Sequence, residues 1–375
     1  MKRQKCSIGL AALILSTVPL LSAQGTFIAL GTGRPFLFGW KMSADGSVVM
    51  GFGGNYGPCY RWTAATGLQE IGGDSYQCNV SADGKTITSA LADSQGIRSA
   101  AIWQGGKNWK SIGSLSDYST QQLKSEPYSL TADGSVIVGL SYRADGGAAA
   151  FRWDAVKGMT DLGSLQGWSA RANAISGVGN VIGGWDACLQ VEVDGRKGGC
   201  AFSGGQSYRM GAVWPYGLPE GLMHPFGWIG EVDLLNDVGS IMVGFGTPAN
   251  PRHPYRYTVW DAKLEDLGTI VRWNPDHPPD PNPEDTAFAN AMSADGNIIV
   301  GNAGYGAPGV PLDAFIWTST NKMEKLQDYL VAHGVAVPPG YLLVNATGIS
   351  ADGKTFCGSA MNPNGDLVIF IAKLP

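Results

Sequence analysis

The stretch Arg252-His-Pro-Tyr-Arg256, followed by Arg272-Trp-Asn-Pro-Asp-His277, places residues that move protons beside residues that neutralise anions. A histidine takes up a proton near neutral pH, a tyrosine can deliver one, and an arginine fork holds a carboxylate. His253 or His277 as base, Tyr255 as acid and Arg252 or Arg272 as neutralising cation would suit a polysaccharide lyase. Asp186, Glu231, Asp233, Asp276 and Asp280 supply the alternative, a carboxylate pair for glycoside hydrolysis. Neither spacing is diagnostic, and Pro-rich surface loops ordinarily use His and Arg for local hydrogen bonds, so the catalytic residues stay unassigned. The strings His-Glu-x-x-His, Gly-x-Ser-x-Gly, Cys-x-x-Cys and the phosphate loop are missing, and neither a metal nor a cofactor is expected.

The aromatic residues divide by position. Trp62, Trp103, Trp153, Trp214, Trp260 and Trp317 recur at one place in a repeat and are expected in a core. Trp40, Trp168, Trp185, Trp228 and Trp273 fall in connecting segments, where exposed rings could stack on the apolar C–H faces of sugars. Tyr56, Tyr76, Tyr128, Tyr255, Tyr305 and Tyr341 add to that belt, with Arg34, Arg143, Arg171 and Arg256, and with His224 and His333, on the same side.

A repeated unit must position all of these. It reads Met42-Ser-Ala-Asp-Gly46-Ser-Val-Val-Met-Gly51, then Tyr60-Arg-Trp62, then Gly67-Leu-Gln-Glu-Ile-Gly72. The Ser-Ala-Asp-Gly corner or a looser variant returns with its glycine at Gly84, Gly134, Gly179, Gly239, Gly296 and Gly353, giving seven units. Each unit resolves into four short strands, a to d: a ends at the corner, b is the Val/Ile run ending in Gly, c carries the aromatic-x-Trp, and d the Leu-Gly. Asp-Gly between apolar runs suits a tight hairpin. Four antiparallel strands cannot bury both faces alone, so the units stack, and seven arranged radially make an all-β, seven-bladed β-propeller. The seventh unit stops after strand c, while Thr26-Phe-Ile-Ala-Leu-Gly31 reads as a stray strand d, so the N-terminal strand is expected to complete the last blade.

The unit resembles the extracellular HAF repeat of secreted bacterial proteins, roughly Ala-x-x-Ile-Ser-x-Asp-Gly-x-x-Val-Val-Gly, Ala-Phe-x-Trp and Gly-Met-x-x-Leu-Gly. Ala291-Met-Ser-Ala-Asp-Gly296, Ala150-Phe-Arg-Trp153 and Gly158-Met-Thr-Asp-Leu-Gly163 carry the likeness, which runs from Thr26 to Pro375. The His before Ala-Phe in that pattern is replaced by Ala149 and Asp313. The resemblance implies a secreted, propeller-like protein and no particular activity.

Composition agrees with frequent turns between short strands: of 375 residues, 54 are Gly and 21 Pro, and only 15% are charged. Lys2, Arg3 and Lys5, the apolar run to Leu21 and the small pair Ser22-Ala23 read as a secretory signal peptide spanning residues 1–23. Residues 24–375 then form one propeller domain. Losing those three cations takes the net charge from −5 to about −8, which argues against nucleic acid as a partner. No second long apolar run suggests a membrane span, and a monomer is expected. In an oxidising compartment Cys188 can pair with Cys200 and Cys59 with Cys78, leaving Cys357 as a buried thiol.

The strand order puts the a–b corners and short c–d turns on one side and the variable b–c loops and d–a links on the other. Length variation concentrated on one face commonly marks a binding face. Three functions remain open: a protein binding a carbohydrate or other extracellular ligand there, an extracellular polysaccharide lyase or glycoside hydrolase with its site at the channel mouth, or a structural and protein-interaction propeller.

Overall fold

The computed structural model describes residues 24–31, 37–54, 57–75, 77–106, 108–164, 169–187, 191–193, 196–198, 209–215, 230–246, 253–270, 286–304 and 312–375, with 37–40, 191–193 and 196–198 described by backbone alone. The signal peptide, Cys188 and Cys200 lie outside the described residues.

The chain is a seven-bladed β-propeller of antiparallel sheets. Blade 1 comprises Leu37–Met42, Val49–Gly53, Cys59–Thr63 and Gly67–Gly72, and blade 2 Asn79–Val80, Ile87–Ala92, Arg98–Trp103 and Trp109–Gly113. Blade 3 is Ser125–Leu130, Val136–Tyr142, Ala148–Asp154 and Gly158–Asp161. Blade 4 shows three strands among the described residues, Ala170–Ile175, Val181–Ala187 and Arg209–Pro215, with the small hairpin Val191–Val193 and Arg196–Gly198 between the last two. Blade 5 is Glu231–Leu235, Ile241–Phe245, Pro254–Thr258 and Lys263–Asp266, and blade 6 Thr286–Met292, Ile298–Gly304, Asp313–Thr318 and Lys322–Lys325. Blade 7 takes Leu342–Ile349, Thr355–Met361 and Leu367–Lys373 from the C-terminal end and Thr26–Leu30 from the N-terminal end. That last strand pairs antiparallel with Leu367–Lys373, from Thr26 opposite Lys373 to Leu30 opposite Ile369, as the stray strand d required.

Each corner is built from its own side chains. The Ser43 hydroxyl donates to Asp45 Oδ1 at 2.7 Å and accepts from the Val48 amide at 3.0 Å, while Asp45 Oδ1 accepts the Ser47 amide at 2.9 Å. The Ser47 and Ser43 hydrogen bonds hold the Asp45 carboxyl below the usual carboxylate range. The corners at Asp83, Asp133, Asp295 and Asp352 repeat this wiring, so these aspartates are turn formers. Gly46 turns the chain at φ +71°, which L side chains rarely adopt. Corner amides also donate to the next blade's corner: Ala44 to the Ala82 carbonyl, Ala82 to Ala132, Ala132 to Gly177, Val178 to Asp237, Asp237 to Ala294, Ala294 to Ala351, and Ala351 back to Ala44. These seven bonds, 2.8–3.1 Å long, close a ring at one end of the central channel.

Among the described residues seven apolar clusters lie between blades, one to a seam, such as Val138, Leu162 and Trp214 between blades 3 and 4, or Val243, Phe315 and Trp317 between blades 5 and 6. Burial of these faces, unavailable to an isolated blade, drives the stacking. The Cys59–Cys78 disulfide (Cα–Cα 5.9 Å) ties blade 1 to the start of blade 2, and the Cys357 thiol is buried and free.

Three expectations change. Trp260 is not a seam residue: it stands in the c–d turn of blade 5 and is 86% exposed. Strand c there is Pro254–Thr258, so Tyr255-Arg256-Tyr257 fills the aromatic-x-aromatic register and Trp260 falls past the strand end. In the sixth unit Leu326, which stands where strand d carries Leu-Gly elsewhere, instead opens a helix, Leu326–Ala332. Its Leu326 and Leu330 lie one helical turn apart and are buried in the seam of blades 6 and 7. Arg256 belongs to the corner side, where its Nε donates to the Gly296 carbonyl at 3.1 Å and its guanidinium lies 5.8 Å from the Trp317 ring centre.

Candidate functional site at the channel mouth

Strand a lines the channel, and in blades 3 to 7 it carries a β-bulge at one fixed position. The pairing to strand b slips between Pro127 and Ser129, Ala172 and Ala174, Val232 and Leu234, Ala289 and Ala291, and Ala346 and Gly348. A bulge leaves one residue unpaired and re-aims its side chain. The residues so released are Tyr128, Asn173, Asp233, Asn290 and Thr347, each three positions before the first residue of its corner. The strand-b glycines are the other half of the device. A Cβ on Gly139, Gly184, Gly244, Gly301 or Gly358 would overlap the carbonyl of Glu126, Arg171, Glu231, Phe288 or Asn345, which the bulge pushes towards it. The repeated glycine therefore makes room for the bulged backbone, and the bulge in turn sets a polar side chain into an otherwise apolar strand.

Tyr128, Asn173, Asp233 and Asn290 meet at the end of the channel opposite the corner ring, on the side of the b–c loops and d–a links, around a cavity of about 710 Å³. That is the size of an ordinary small-ligand site. Asn173 organises it: its amide nitrogen donates to Glu231 Oε2 at 2.9 Å and to Asp233 Oδ1 at 3.0 Å, and its oxygen accepts Arg171 Nε at 2.6 Å. Arg171 also pairs with Glu231 at 2.9 Å, and Arg209 takes the other Glu231 oxygen. Both guanidiniums lie against the Trp185 ring, Arg209 at 4.7 Å and Arg171 at 5.6 Å from its centre, and Arg171 also covers Tyr128 at 4.6 Å. From blade 1, the Lys41 ammonium reaches the Asn290 carbonyl at 3.3 Å. One wall is apolar: Phe245 and Phe288 stack at 4.7 Å, and Phe288 is 45% exposed.

Burial, reinforced by the Glu231 charge, raises Asp233 to about 7 against the opposing pull of Arg171, Asn173 and Lys41. Burial lowers Lys41, with Cys357 and Asp233 acting the other way. Tyr128 is pushed up to about 12, chiefly by burial. Among the described residues no three His, Cys, Asp or Glu side chains gather to hold a metal ion.

The structure brings together only part of the expected constellation. Arg171, Glu231 and Asp233 stand at the cavity, with Tyr128. His253 is engaged by Asp266 (2.9 Å) at the end of strand d and is not among the described residues lining the cavity. Tyr255 is fully buried in the seam of blades 4 and 5. Its hydroxyl donates to the Glu231 carbonyl at 2.7 Å and burial holds it protonated, so it braces Glu231 rather than facing a ligand. Trp185 lies inside strand b of blade 4, 7% exposed, as a base for the two arginines rather than an open platform. Asp186, beside it, is buried. Trp40 sits within the blade 1 bulge between Phe38 and Lys41, its side chain outside the described residues. His277, Arg252, Arg272, Trp168, Trp228, Trp273, His224, Asp276 and Asp280 also lie outside them. Lys41, Asn173, Arg209, Asn290 and Phe288 were not singled out from the sequence. For Asn173 and Asn290 the signal was the register, three residues before the corner and next to the residue paired with the strand-b glycine; Lys41, Arg209 and Phe288 stand elsewhere in their strands and carried no such signal.

No known family profile matches the chain, and no curated protein matches it. Solved structures do. Oligogalacturonate lyase from Vibrio parahaemolyticus is similar over 94% of this chain and 98% of its own, at 11% identity and a TM-score of 0.53. An oligogalacturonate lyase in complex with manganese gives 94% and 97%, 13% and 0.52. The β-propeller domain of the Trilobed protease from Pyrococcus furiosus gives 90% and 97%, 9% and 0.54. The likeness is one of fold. That last domain has an open velcro topology, whereas here the N-terminal strand closes blade 7.

Proposed function

We propose that this chain is a secreted propeller that binds a sugar at the mouth of its central channel. One observation carries the reading: a cavity in which fixed planar amides, carboxylates and guanidiniums converge from blades 4, 5 and 6 beside the exposed face of Phe288. Sugars present hydroxyls around their edge and C–H groups on their faces, so such a site meets both. Lys41 and Asp233 at the base supply a donor beside an acceptor, the pattern that a pair of neighbouring hydroxyls requires. The basic and apolar leader, the Cys59–Cys78 disulfide and the likeness to extracellular HAF repeats support export. Among the described residues no helix is long and apolar enough to cross a membrane.

A glycan array with purified protein, followed by calorimetry on the hits, tests the reading. Binding should weaken at least about tenfold in Asn173→Ala and in Phe288→Ala, while the melting temperature shows both folded. Absence of binding to any glycan by folded protein contradicts it.

Glu231 and Asp233 favour a second reading, glycoside hydrolysis. Both accept from one Asn173 nitrogen, so their nearest oxygens lie within about 6 Å, closer to the retaining than the inverting arrangement. Asp233 near 7 suits a general acid. Cleavage of a bound oligosaccharide, lost in Asp233→Asn, would support it; intact ligand after prolonged incubation would exclude it for that ligand.

A further inference from the structure

We infer that the sugar is acidic, and that its carboxylate seats on the outer edge of Arg209 at the cavity mouth. This rests on the sugar-binding reading and specifies its ligand. Among the described lining residues the cations are Lys41, Arg171 and Arg209 and the anions Glu231 and Asp233. Tyr255, facing Asp233, and Cys357, facing Lys41, are both pushed up by burial and stay neutral. Lys41 and Asp233 act on each other as opposite charges across the site, so together they are neutral, or singly positive when Asp233 is protonated. The two arginines still outnumber Glu231. A chain of net charge −5 thus concentrates a cationic surplus in one concave site.

Arg171 is consumed inside the site by Asn173 and Glu231. Arg209 is differently placed: among the described residues Glu231 is its hydrogen-bond acceptor, through one Nη, and its side chain is 45% exposed. Trp185 beneath the guanidinium plane fixes its orientation, so its remaining N–H groups form a ready fork for a planar anion. Glu231 cannot turn to satisfy them, being held by Arg171 and Asn173. A carboxylate completes the coordination that Glu231 begins.

Asp233 faces Glu231, Arg171, Asn173 and Lys41. An incoming anion raises the cost of a charged Asp233 and so favours its protonated form. A sugar carboxylate stays ionised above pH 6, so tighter binding on acidification through 7 reports on Asp233.

Calorimetry decides it, with oligosaccharides of galacturonate, of glucuronate and of mannuronate as probes, each beside its carboxyl-reduced neutral counterpart and a sulfated neutral oligosaccharide of equal length. At least one oligouronate should bind roughly tenfold or more tighter than its reduced form, and in Arg209→Gln that ratio should fall towards one. Its affinity should rise several-fold from pH 8 to pH 6 in the wild type, and this rise should vanish in Asp233→Asn. Equal affinity for acidic and reduced forms, preference for the sulfated sugar, a ratio untouched by Arg209→Gln or a flat pH profile each overturns the inference while leaving sugar binding intact. Failure of every sugar, acidic and neutral, instead overturns the binding reading itself.

Discussion

At the scale of single residues, Asp233 is the most informative group. Its carboxyl is ionised with difficulty in the folded state, near 7, and freely in the unfolded chain, near 3.9. Between those values the folded state binds the extra proton, so this group lowers stability as pH rises, with the full cost reached above 7. Asp233→Asn should therefore melt above the wild type at pH 8, and the gap should close as pH falls towards 4. Thermal denaturation across that range checks it; a gap that widens on acidification would mean that Asp233 is stabilised as an anion. The corner aspartates carry the opposite sign. Asp45 and Asp133 are held low by hydrogen bonds, so their contribution is whole above about 3.9 and disappears on further acidification.

At the scale of elements, the bulge of strand a and the glycine of strand b form one unit. Gly301→Ala would drive a methyl group into the Phe288 carbonyl, and either strand b or the bulge must shift. We expect a loss of about 2 kcal/mol in chemical denaturation, together with weakened ligand binding because Asn290 leaves its position. Stability unchanged by this substitution would show that the bulge is not held by that close approach. Strand count, corner chemistry and the closing strand were readable from the sequence because each recurs seven times or is conspicuous by its single omission. The bulge was not: it adds a residue without altering the alternation of types enough to be seen in one chain. Trp260 misled for a related reason, since a Trp two residues past strand c occupies a familiar motif position only if the shorter Tyr255-Arg256-Tyr257 is overlooked. Glu231 and Asp233 were legible as residue types, whereas their convergence with Lys41, nearly two hundred positions away, is a property of the closed ring.

At the scale of the whole molecule, closure is secured three ways: the shared last blade, the ring of corner hydrogen bonds and the seam clusters. The disulfide adds a covalent tie on the loop side of one seam. Its residues are 19 apart, so Cys59→Ser with Cys78→Ser should cost about 3 kcal/mol in denaturant unfolding. Removing residues 24–31 should do more, since it exposes the Leu367–Lys373 edge and the seam to blade 1. Loss of a single cooperative transition, and association in light scattering, are the expected signs. A truncated chain that unfolds as sharply as the intact one would mean that the ring closes without its velcro strand. We expect the ligand to sit where the bulged strands converge. Hydrogen exchange with and without a saturating bound oligosaccharide tests it most directly. New protection should fall on the strand-a segments around Tyr128, Asn173, Asp233 and Asn290, leaving the corner ring unchanged. Protection confined to the corners, the outer strands d or the exposed c–d turns would contradict it.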